Sequence, residues 1–353
     1  MKISVCLIVK NEEKQLERAL SSIPSSFEII VTDTGSTDRT VEIAKRYAEG
    51  VYAHEWQDDF ADARNASIAR ATGDYILIMD ADERLPDHAE IKLQEHVRRF
   101  PDRAATVGIL NWSDKEPTRH RVVRFFPNHA GYRFGGKVHE QLYFAQDLAE
   151  AVHSELIIEH YGYLEAQYKS SDKFERYLRL YQSVLKEEPN DGYMLYQLGK
   201  LYYSSDRFAE AYEPLAACVS LEQYDRLYYP AMLVTLGYTL QRLTFSSQAI
   251  EMLEPFLELY PQYPDLPFLI GMLAMDTGDL GRIERYFKRA LEIGETERYT
   301  TVPGTGSFRS AHNLGVFYEL TGRLQEAAHF YGIGSQWGFE PSSSRLRQLS
   351  PKN

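Results

Sequence analysis

The chain has 353 residues, 44% of them hydrophobic and 25% charged, which is the composition of a globular protein long enough for two domains. The formal net charge is −12 and no dense cluster of lysine and arginine occurs, so we expect neither nucleic-acid binding nor docking on an anionic membrane. The two cysteines, Cys6 and Cys218, lie far apart, which predicts a reducing compartment and no structural disulfide.

The first predicted element is a buried strand over the apolar residues 3–9. This run is too short for the core of a signal peptide, and Lys10 follows it directly. Nowhere does the sequence reach the roughly 18 consecutive apolar residues that a membrane-spanning helix needs. We therefore expect no membrane insertion and a cytoplasmic protein.

Short apolar strands alternate with amphipathic helices over residues 1–168, which predicts an α/β domain with parallel strands joined by right-handed crossovers. Ser36 or Thr37 is expected to cap the second helix. Ligands of such sheets collect at the carboxyl ends of the strands. The predicted strands are 3–9, 28–32 and 75–79, and the predicted helices are 12–22, 37–48 and 60–71.

Acidic residues follow each of these strands at the edge where ligands collect. Glu12 follows the first strand, Asp33 the second, and Asp80 and Asp82 the third. Carboxylates gathered at one edge repel one another unless a cation lies among them. Mg²⁺ or Mn²⁺ needs only a few carboxylates when phosphate oxygens complete its coordination, so a metal-bound diphosphate fits this pattern.

From residue 169 to the end the strand signal vanishes and a helical repeat appears. Each copy carries a small glycine after an aliphatic residue and, further on, an alanine and a bulky residue. The spacing resembles the tetratricopeptide repeat, whose period is about 34 residues. A polar insertion at 299–307 lengthens the last interval and is expected to be a loop. The glycines are Gly199, Gly237, Gly271 and Gly315.

Residues 1–165 resemble glycosyltransferase family 2, whose members have the GT-A fold, a Rossmann-like mixed sheet. The resemblance rests on four sequence motifs that occur in the same order and at similar spacing in the family. The Asp-Thr-Gly-Ser form of the second motif is similar to a subgroup that includes bacterial peptide S-glycosyltransferases of the sublancin type and lipopolysaccharide-core transferases. The motifs are Val9-Lys10-Asn11-Glu12-Glu13, Val31-Thr32-Asp33-Thr34-Gly35-Ser36-Thr37-Asp38, Asp62-Ala63-Arg64-Asn65 and Met79-Asp80-Ala81-Asp82.

The resemblance implies a role for each motif in binding the donor. Glu12 and Asp33 would contact the ribose or uracil of a UDP-sugar, and Asp80 would face the ribose or the metal. Asp82 would be the main ligand of Mn²⁺ or Mg²⁺. The family's usual second aspartate before Gly-Ser is Thr34 here, which leaves recognition of the base open.

Further site residues follow from the same resemblance. Arg64 and Asn65 would lie beside the diphosphate. His160, last in the domain, occupies a position where GT-A enzymes often place a histidine that completes the metal's coordination; the alternative is a histidine that caps the sheet edge. Independently of the resemblance, Arg121 and Arg124 lie in the same region and are candidates for binding the acceptor or a phosphate.

Removal of the acceptor proton needs a general base. The segment 134–142 carries two glycines and then Val138-His139-Glu140, which indicates a tight turn that leads into the site. A similar Val-His-Glu segment recurs in the subgroup. We predict Glu140 as the base, with His139 as the second candidate, and inversion at the anomeric carbon because the family inverts.

The predicted protein is a metal-dependent glycosyltransferase, residues 1–168, followed by a tetratricopeptide-like superhelix, residues 169–353. The repeats would bind a peptide or protein acceptor, or alternatively form a homodimer. Alternative hypotheses for the function are a glycosyltransferase of cell-surface glycan synthesis and a catalytically weak repeat scaffold. A nucleotidyltransferase usually has a glycine-rich loop after its first strand, and Lys10-Asn11-Glu12 contains no glycine.

Overall fold

A computed structural model of the protein describes residues 1–113, 118–128, 131–163, 171–296, 298–299 and 301–349. The chain forms two compact units, Met1–Leu180 and Tyr181–Asn353. The division falls within the helix Ser171–Glu187, and the predicted boundary at residue 168 lies outside the described residues. In the part of the chain that is described, no helix has both the length and the apolar character that crossing a bilayer requires.

The first unit is an α/β domain, as predicted, and it contains one large sheet and one small one. Helices and strands alternate up to β4, and strands dominate afterwards. The strands are β1 (Ile3–Val9), β2 (Glu28–Asp33), β3 (Gly50–Ala53), β4 (Tyr75–Ile78), β5 (Glu83–Arg84), β6 (Ala104–Ser113), β7 (Thr118–Pro127), β8 (Tyr132–Gly135), β9 (Gln141–Phe144), β10 (Asp147–Leu148) and β11 (Ala151–Tyr163). The helices are α1 (Leu16–Ser21), α2 (Thr40–Ala44), α3 (Phe60–Ile68), α4 (Ala89–Arg99) and α5 (Ser171–Glu187).

The large sheet is mixed and has the strand order β3-β2-β1-β4-β7-β6-β11-β5. The three strands predicted first are neighbours and parallel, with β1 between β2 and β4. β7 and β5 run antiparallel to their neighbours, so the sheet is not parallel throughout. Residues of β1 are buried almost without exception because helices or strands cover both faces of a central strand.

The first two helices are shorter than predicted because the loops that follow β1 and β2 bind each other. Asn11 has a φ of +57° and accepts a hydrogen bond from the Thr37 backbone N–H at 2.8 Å. The Glu12 N–H donates to the Thr40 hydroxyl at 2.7 Å. Neither Ser36 nor Thr37 caps α2; the Asp38 carboxylate instead accepts from the Thr40 N–H at 3.0 Å.

The second unit contains four antiparallel helix pairs at the four predicted repeat positions. The pairs are α6 (Gly192–Ser204) with α7 (Phe208–Ser220), α8 (Tyr229–Arg242) with α9 (Ser246–Leu253), α10 (Asp265–Thr277) with α11 (Leu280–Ile293), and α12 (Phe308–Leu320) with α13 (Leu324–Gln336). α14 (Glu340–Leu349) follows, and a short 3₁₀ turn (Glu254–Leu257) extends α9. The tetratricopeptide-like prediction is confirmed.

Each repeat glycine allows the two helices of its pair to touch. A Cβ built on Gly199 would lie 2.4 Å from the Leu215 side chain, and one on Gly315 would lie 2.5 Å from the Tyr331 ring. Gly237 and Gly271 have the same relation to Leu253 and to a phenylalanine of α11. The bulky residue of the repeat therefore fills the space that the glycine leaves open.

The described residues of the insertion, 299 and 301–307, form a loop, and Asp265 of α10 bonds to it. The Asp265 carboxylate is 3% exposed and accepts from the Val302 N–H at 2.8 Å and from the Thr305 hydroxyl at 2.5 Å. Burial raises the pKa of Asp265 to about 6, although these hydrogen bonds oppose the rise.

Candidate functional site

The predicted acidic residues meet at the edge formed by the carboxyl ends of β1, β2, β4 and β11. Val9 and Asp33 are register partners at the ends of β1 and β2. Asp80 and Asp82 lie in the turn after β4, and the Asp82 carbonyl accepts from the Tyr161 N–H on β11 at 3.0 Å. The sheet topology thus brings three distant segments of sequence to one place.

Asp80 is held by two arginines. Its Oδ1 accepts from Arg64 of α3 at 3.0 Å, and its Oδ2 accepts from Arg124 of β7 at 2.7 Å. Arg64 also donates through Nε to Glu140 at 2.6 Å, and Arg124 lies 3.5 Å from Glu83. We call these five residues the arginine–carboxylate network.

The network is mostly buried, and its charges influence one another strongly. Burial would raise the pKa of Asp80, but the two guanidinium groups outweigh it and hold the pKa well below its usual range. Burial raises the pKa of Glu83, which is 2% exposed, even though Arg124 opposes the rise. Nη1 of Arg64 and Nη1 of Arg124 are buried and have no hydrogen-bond partner among the described residues.

Asp82 lies outside this network and pairs with His160 instead. Nε2 of His160 lies 3.1 Å from Oδ2 of Asp82, and both side chains are partly open to solvent. Nδ1 of His160 lies 2.8 Å from Oδ1 of the buried Asn111. Burial lowers the pKa of His160, but the hydrogen bond and charge of Asp82 outweigh it, so the net shift is upward.

Glu12 and Asp33 stand at the neighbouring strand ends. Asp33 is buried and accepts from the backbone N–H groups of Gly35 and Ser36 at 3.1–3.2 Å, so it also shapes its own turn. Glu12 is partly buried, and burial together with the negative charge of Asp82 raises its pKa to about 7. This edge therefore carries more negative charge than its arginines neutralise.

Asn65 and Arg121 have contacts that hold the fold together. The Asn65 amide both donates to the Phe134 carbonyl and accepts from the Phe134 N–H, each at 2.9 Å, and so attaches β8 to α3. Arg121 donates to the backbone carbonyls of Thr106 and Ser154. The predicted places of these two residues beside the diphosphate and the acceptor stay predictions.

The two candidate bases differ in setting. Glu140 is largely buried within the arginine–carboxylate network, whereas His139 is exposed and has a φ of +54°. Gly136, with a φ of +96°, confirms the tight turn predicted before them. The turn brings Glu140 to Arg64, so Glu140 is the candidate that the fold connects to the strand edge.

The predicted metal ligands form a pair and not a trio. Among the residues that the structure describes, no group of three His, Cys, Asp or Glu side chains is arranged to hold an ion. Asp82 and His160 lie together, but both carboxylate oxygens of Asp80 are taken up by arginines. An aspartate–histidine pair in a region of excess negative charge suits a divalent cation whose remaining ligands are phosphate oxygens and water.

Two residues of this site, Glu83 and Asn111, were not recognised from the sequence, and a third, Arg124, was expected in a different role. Glu83 follows Asp82 directly and reads as one more acidic residue of the turn. Arg124 was expected at the acceptor or phosphate, and its bonds to Asp80 could not be inferred. Asn111 lies in a strand, and only its register with His160 on β11 reveals its place.

Comparison with known proteins identifies relatives of this chain. Residues 4–154 match the family model described as glycosyl transferase family 2. A TPR repeat-containing protein of Synechococcus elongatus is 33% identical over 211 residues, which cover 56% of this chain and 52% of that protein. The SPbeta prophage-derived glycosyltransferase SunS of Bacillus subtilis is 29% identical over 225 residues, covering 62% and 53%. The chain spans about half the length of these curated relatives.

Among solved structures, the crystal structure of MamA covers 50% of this chain and 91% of its own, with 21% identity and a TM-score of 0.40. The crystal structure of S. aureus TarS 1–349 covers 69% and 88%, with 14% identity and a TM-score of 0.37. Overlaps at this level do not bear on function.

Proposed function

We propose that this chain transfers a sugar from a UDP-sugar to a peptide or protein acceptor, because residues 4–154 match the family model of glycosyl transferase family 2. The observation that carries the proposal is the shared strand edge, where Asp33, Asp82 and His160 come together from three parts of the sequence. Nucleotide ligands of such sheets bind at this edge.

A divalent cation, Mn²⁺ or Mg²⁺, is part of the proposal. Asp82 and His160 would hold it, and it would supply charge stabilisation on the departing diphosphate. Burial is the main cause of the raised pKa of Glu12, and the negative charge of Asp82 adds to it, so a cation beside Asp82 would favour the ionised form of Glu12. Asp80 is not assigned as a ligand of the cation, because both of its carboxylate oxygens accept hydrogen bonds from Arg64 and Arg124 of the arginine–carboxylate network.

The two arginines support a phosphate ligand near Asp80. Each has one buried nitrogen without a partner among the described residues, which costs free energy unless an acceptor is present in some state of the protein. Guanidinium groups bind phosphate oxygens well because their N–H donors form a planar fork. We therefore place the donor diphosphate between Asp82 and the arginine–carboxylate network.

Glu140 is proposed as the general base for the acceptor. Its side chain is part of the network through its 2.6 Å bond with Arg64. An acceptor that carries a thiol would need little help from it, because a few per cent of a thiol is already ionised at neutral pH.

The helix pairs of the second unit are proposed to bind the acceptor chain. Stacked helix pairs offer an extended surface suited to a polypeptide. The tyrosines of these helix pairs divide into two groups. Tyr196 and Tyr229 are buried in the core between helices, whereas Tyr193, Tyr203 and Tyr238 are partly exposed and available to a ligand.

Calorimetric titration of the full chain with UDP, with and without Mn²⁺, tests the donor part of the proposal. We expect UDP to bind, and to bind more tightly with Mn²⁺. Asp33→Ala should weaken UDP binding far more than it lowers the melting temperature, because Asp33 is expected to touch the nucleotide. Equal affinity of wild type and variant would show that the nucleotide binds elsewhere.

A further inference from the structure

A line of polar side chains crosses the large sheet and ends at Asp82. His120 lies on β7, Asn111 on β6 and His160 on β11, which are consecutive strands of the sheet. Nδ2 of Asn111 lies 3.1 Å from Nδ1 of His120, and Oδ1 of Asn111 lies 2.8 Å from Nδ1 of His160. Nε2 of His160 completes the line at 3.1 Å from Asp82. We call these four residues the cross-strand chain.

The side-chain amide of Asn111 determines which atom donates and which accepts in each hydrogen bond of the cross-strand chain. Nδ2 of Asn111 can only donate, and Nδ1 of a neutral His120 is able to accept from it. Oδ1 of Asn111 can only accept, so the proton between Asn111 and His160 belongs to Nδ1 of His160. In a neutral His160 the lone pair is therefore on Nε2, the nitrogen beside Asp82.

Burial makes this arrangement specific. Asn111 is 6% exposed, so water does not readily replace either of these two histidine partners. Its register partner on β11 is His160 itself, which fixes the distance between the two side chains through the backbone of the sheet. The Asp82 carbonyl is in turn fixed to β11 by the Tyr161 N–H.

We propose that Asn111 is a positioning residue, which fixes the tautomer and ring orientation of His160 so that Nε2 faces the cation site beside Asp82. The inference rests on the proposed function, because it concerns the cation that Asp82 and His160 would hold. A metal-bound histidine generally donates its other N–H to a carboxylate, a carbonyl or water, and the Asn111 amide oxygen fills that position here.

The test measures Mn²⁺ affinity by calorimetry on the full chain in three variants. Asn111→Leu removes the acceptor at similar size and should weaken Mn²⁺ binding by about 10–100-fold. Asn111→Asp keeps an oxygen toward His160 and should keep Mn²⁺ affinity close to wild type. Asn128→Leu is the matched control, because the Asn128 amide donates to the carbonyls of Ala71 and Gly73 away from the site.

The Mn²⁺ affinity of Asn111→Asp shows whether Asn111 acts by positioning His160 or only by stabilising the fold. The Asn111→Asp substitution introduces a charge at a buried position, which destabilises a fold. If Mn²⁺ affinity merely followed stability, Asn111→Asp would lose it too, and that result would overturn the proposal. Unchanged affinity in Asn111→Leu would overturn it as well.

A second measurement reads the tautomer without any metal. Long-range ¹⁵N–¹H spectra of protein with labelled histidine, recorded above neutral pH, should show His160 protonated on Nδ1 in wild type and altered in Asn111→Leu. His160→Gln identifies the signals. A wild-type ring without a proton on Nδ1 would overturn the positioning role alone. A wild-type chain that binds no Mn²⁺ would overturn the cation of the proposed function, and with it this assignment.

Discussion

Asp82 differs from Asp80 in what already holds it, and this difference decides how substitutions at the two positions should act. Asp80 is bonded to two arginines, so removing it leaves each of these buried cations with one carboxylate partner fewer, which is destabilising. Asp82 is partly open and pairs with His160. A test of the cation site should therefore use Asp82.

Loss of a residue that only supports a metal ligand reduces activity by roughly 10–100-fold. Asp82→Asn removes a proposed ligand of the cation itself, so transfer should fall by more than that. The melting temperature should stay near wild type, since no buried apolar contact is removed. Transfer assays with and without Mn²⁺ check this. Turnover near wild type, in this variant or after exhaustive chelation, would rule out the cation.

Glu140→Gln keeps the shape of the side chain and removes its ability to take a proton. Transfer should fall by roughly 10²–10⁴-fold while UDP affinity is retained. Glu150→Gln is the control, because Glu150 forms a salt bridge with Arg103 on the surface and takes no part in the site. Activity retained in Glu140→Gln would move the base to His139 or indicate a thiol acceptor.

The stability of the first unit should depend on the protonation of Glu12. Its pKa is about 7 in the folded chain, above the 4.5 of an ordinary glutamate, so its contribution to stability is complete below about pH 4.5 and is lost as the pH rises through about 7. Glu12→Gln stays neutral and escapes this loss. The variant should gain in melting temperature relative to wild type on going from pH 5 to pH 8, whereas the surface variant Glu17→Gln should not. A parallel pH dependence of Glu12→Gln and wild type would contradict the burial of charge at this edge.

At the scale of elements, the sequence predicted the strands and helix pairs whose residues follow a local periodic pattern. β1, β2 and β4 are apolar runs, and the helix pairs follow a repeated pattern of glycine and bulky residues, so both were visible without the structure. The start of α1 at Leu16 was not, because the bond from the Glu12 N–H to Thr40 joins two separate loops and no local pattern of residues indicates it. The ion pair of Arg64 and Glu140 joins residues 76 positions apart, and only the folded chain reveals it.

Two glycines of the last helix pair should respond oppositely to alanine. A Cβ on Gly315 would overlap the fully buried Tyr331 ring, so Gly315→Ala should destabilise the chain by about 1–3 kcal/mol. A Cβ on Gly332, inside α13, meets nothing within 4 Å, so Gly332→Ala should stabilise by about 0.5–1 kcal/mol. Denaturant unfolding of both variants checks this. Equal effects would mean that helix propensity, and not contact, determines the repeat glycines.

At the scale of the whole molecule, the order of an α/β domain and a helical domain was predictable from the sequence, and the boundary at residue 168 stays a prediction because it lies outside the described residues. The strand signal ends and the repeat begins at about the predicted place. The helix Ser171–Glu187 nevertheless continues from one unit into the other, and Arg176, in its first half, influences the charge of Glu12. Because this helix contributes residues to both units, its sequence pattern does not mark where the first unit ends and the second begins.

A chain ended after Glu187 should keep this helix whole and still hydrolyse the donor slowly. Transfer to the acceptor should fall by about 10²-fold or more in kcat/KM, since a separate binding surface for the same acceptor has been removed. The full chain carrying Asp82→Asn is the control for a lost cation site. Undiminished transfer by the shortened chain would show that the repeats serve assembly, as in a homodimer.

The pairing of each repeat glycine with one bulky residue has a consequence for how this chain is able to evolve. The two positions lie in the same helix pair and always at the same spacing, as in Gly199 with Leu215 and Gly315 with Tyr331. A larger residue at the first position is tolerated only if the second shrinks, so neither is free to drift alone. A library randomised at 315 and 331 together should yield folded chains in which volume is exchanged between the two sites, and the remaining repeats need not change in response.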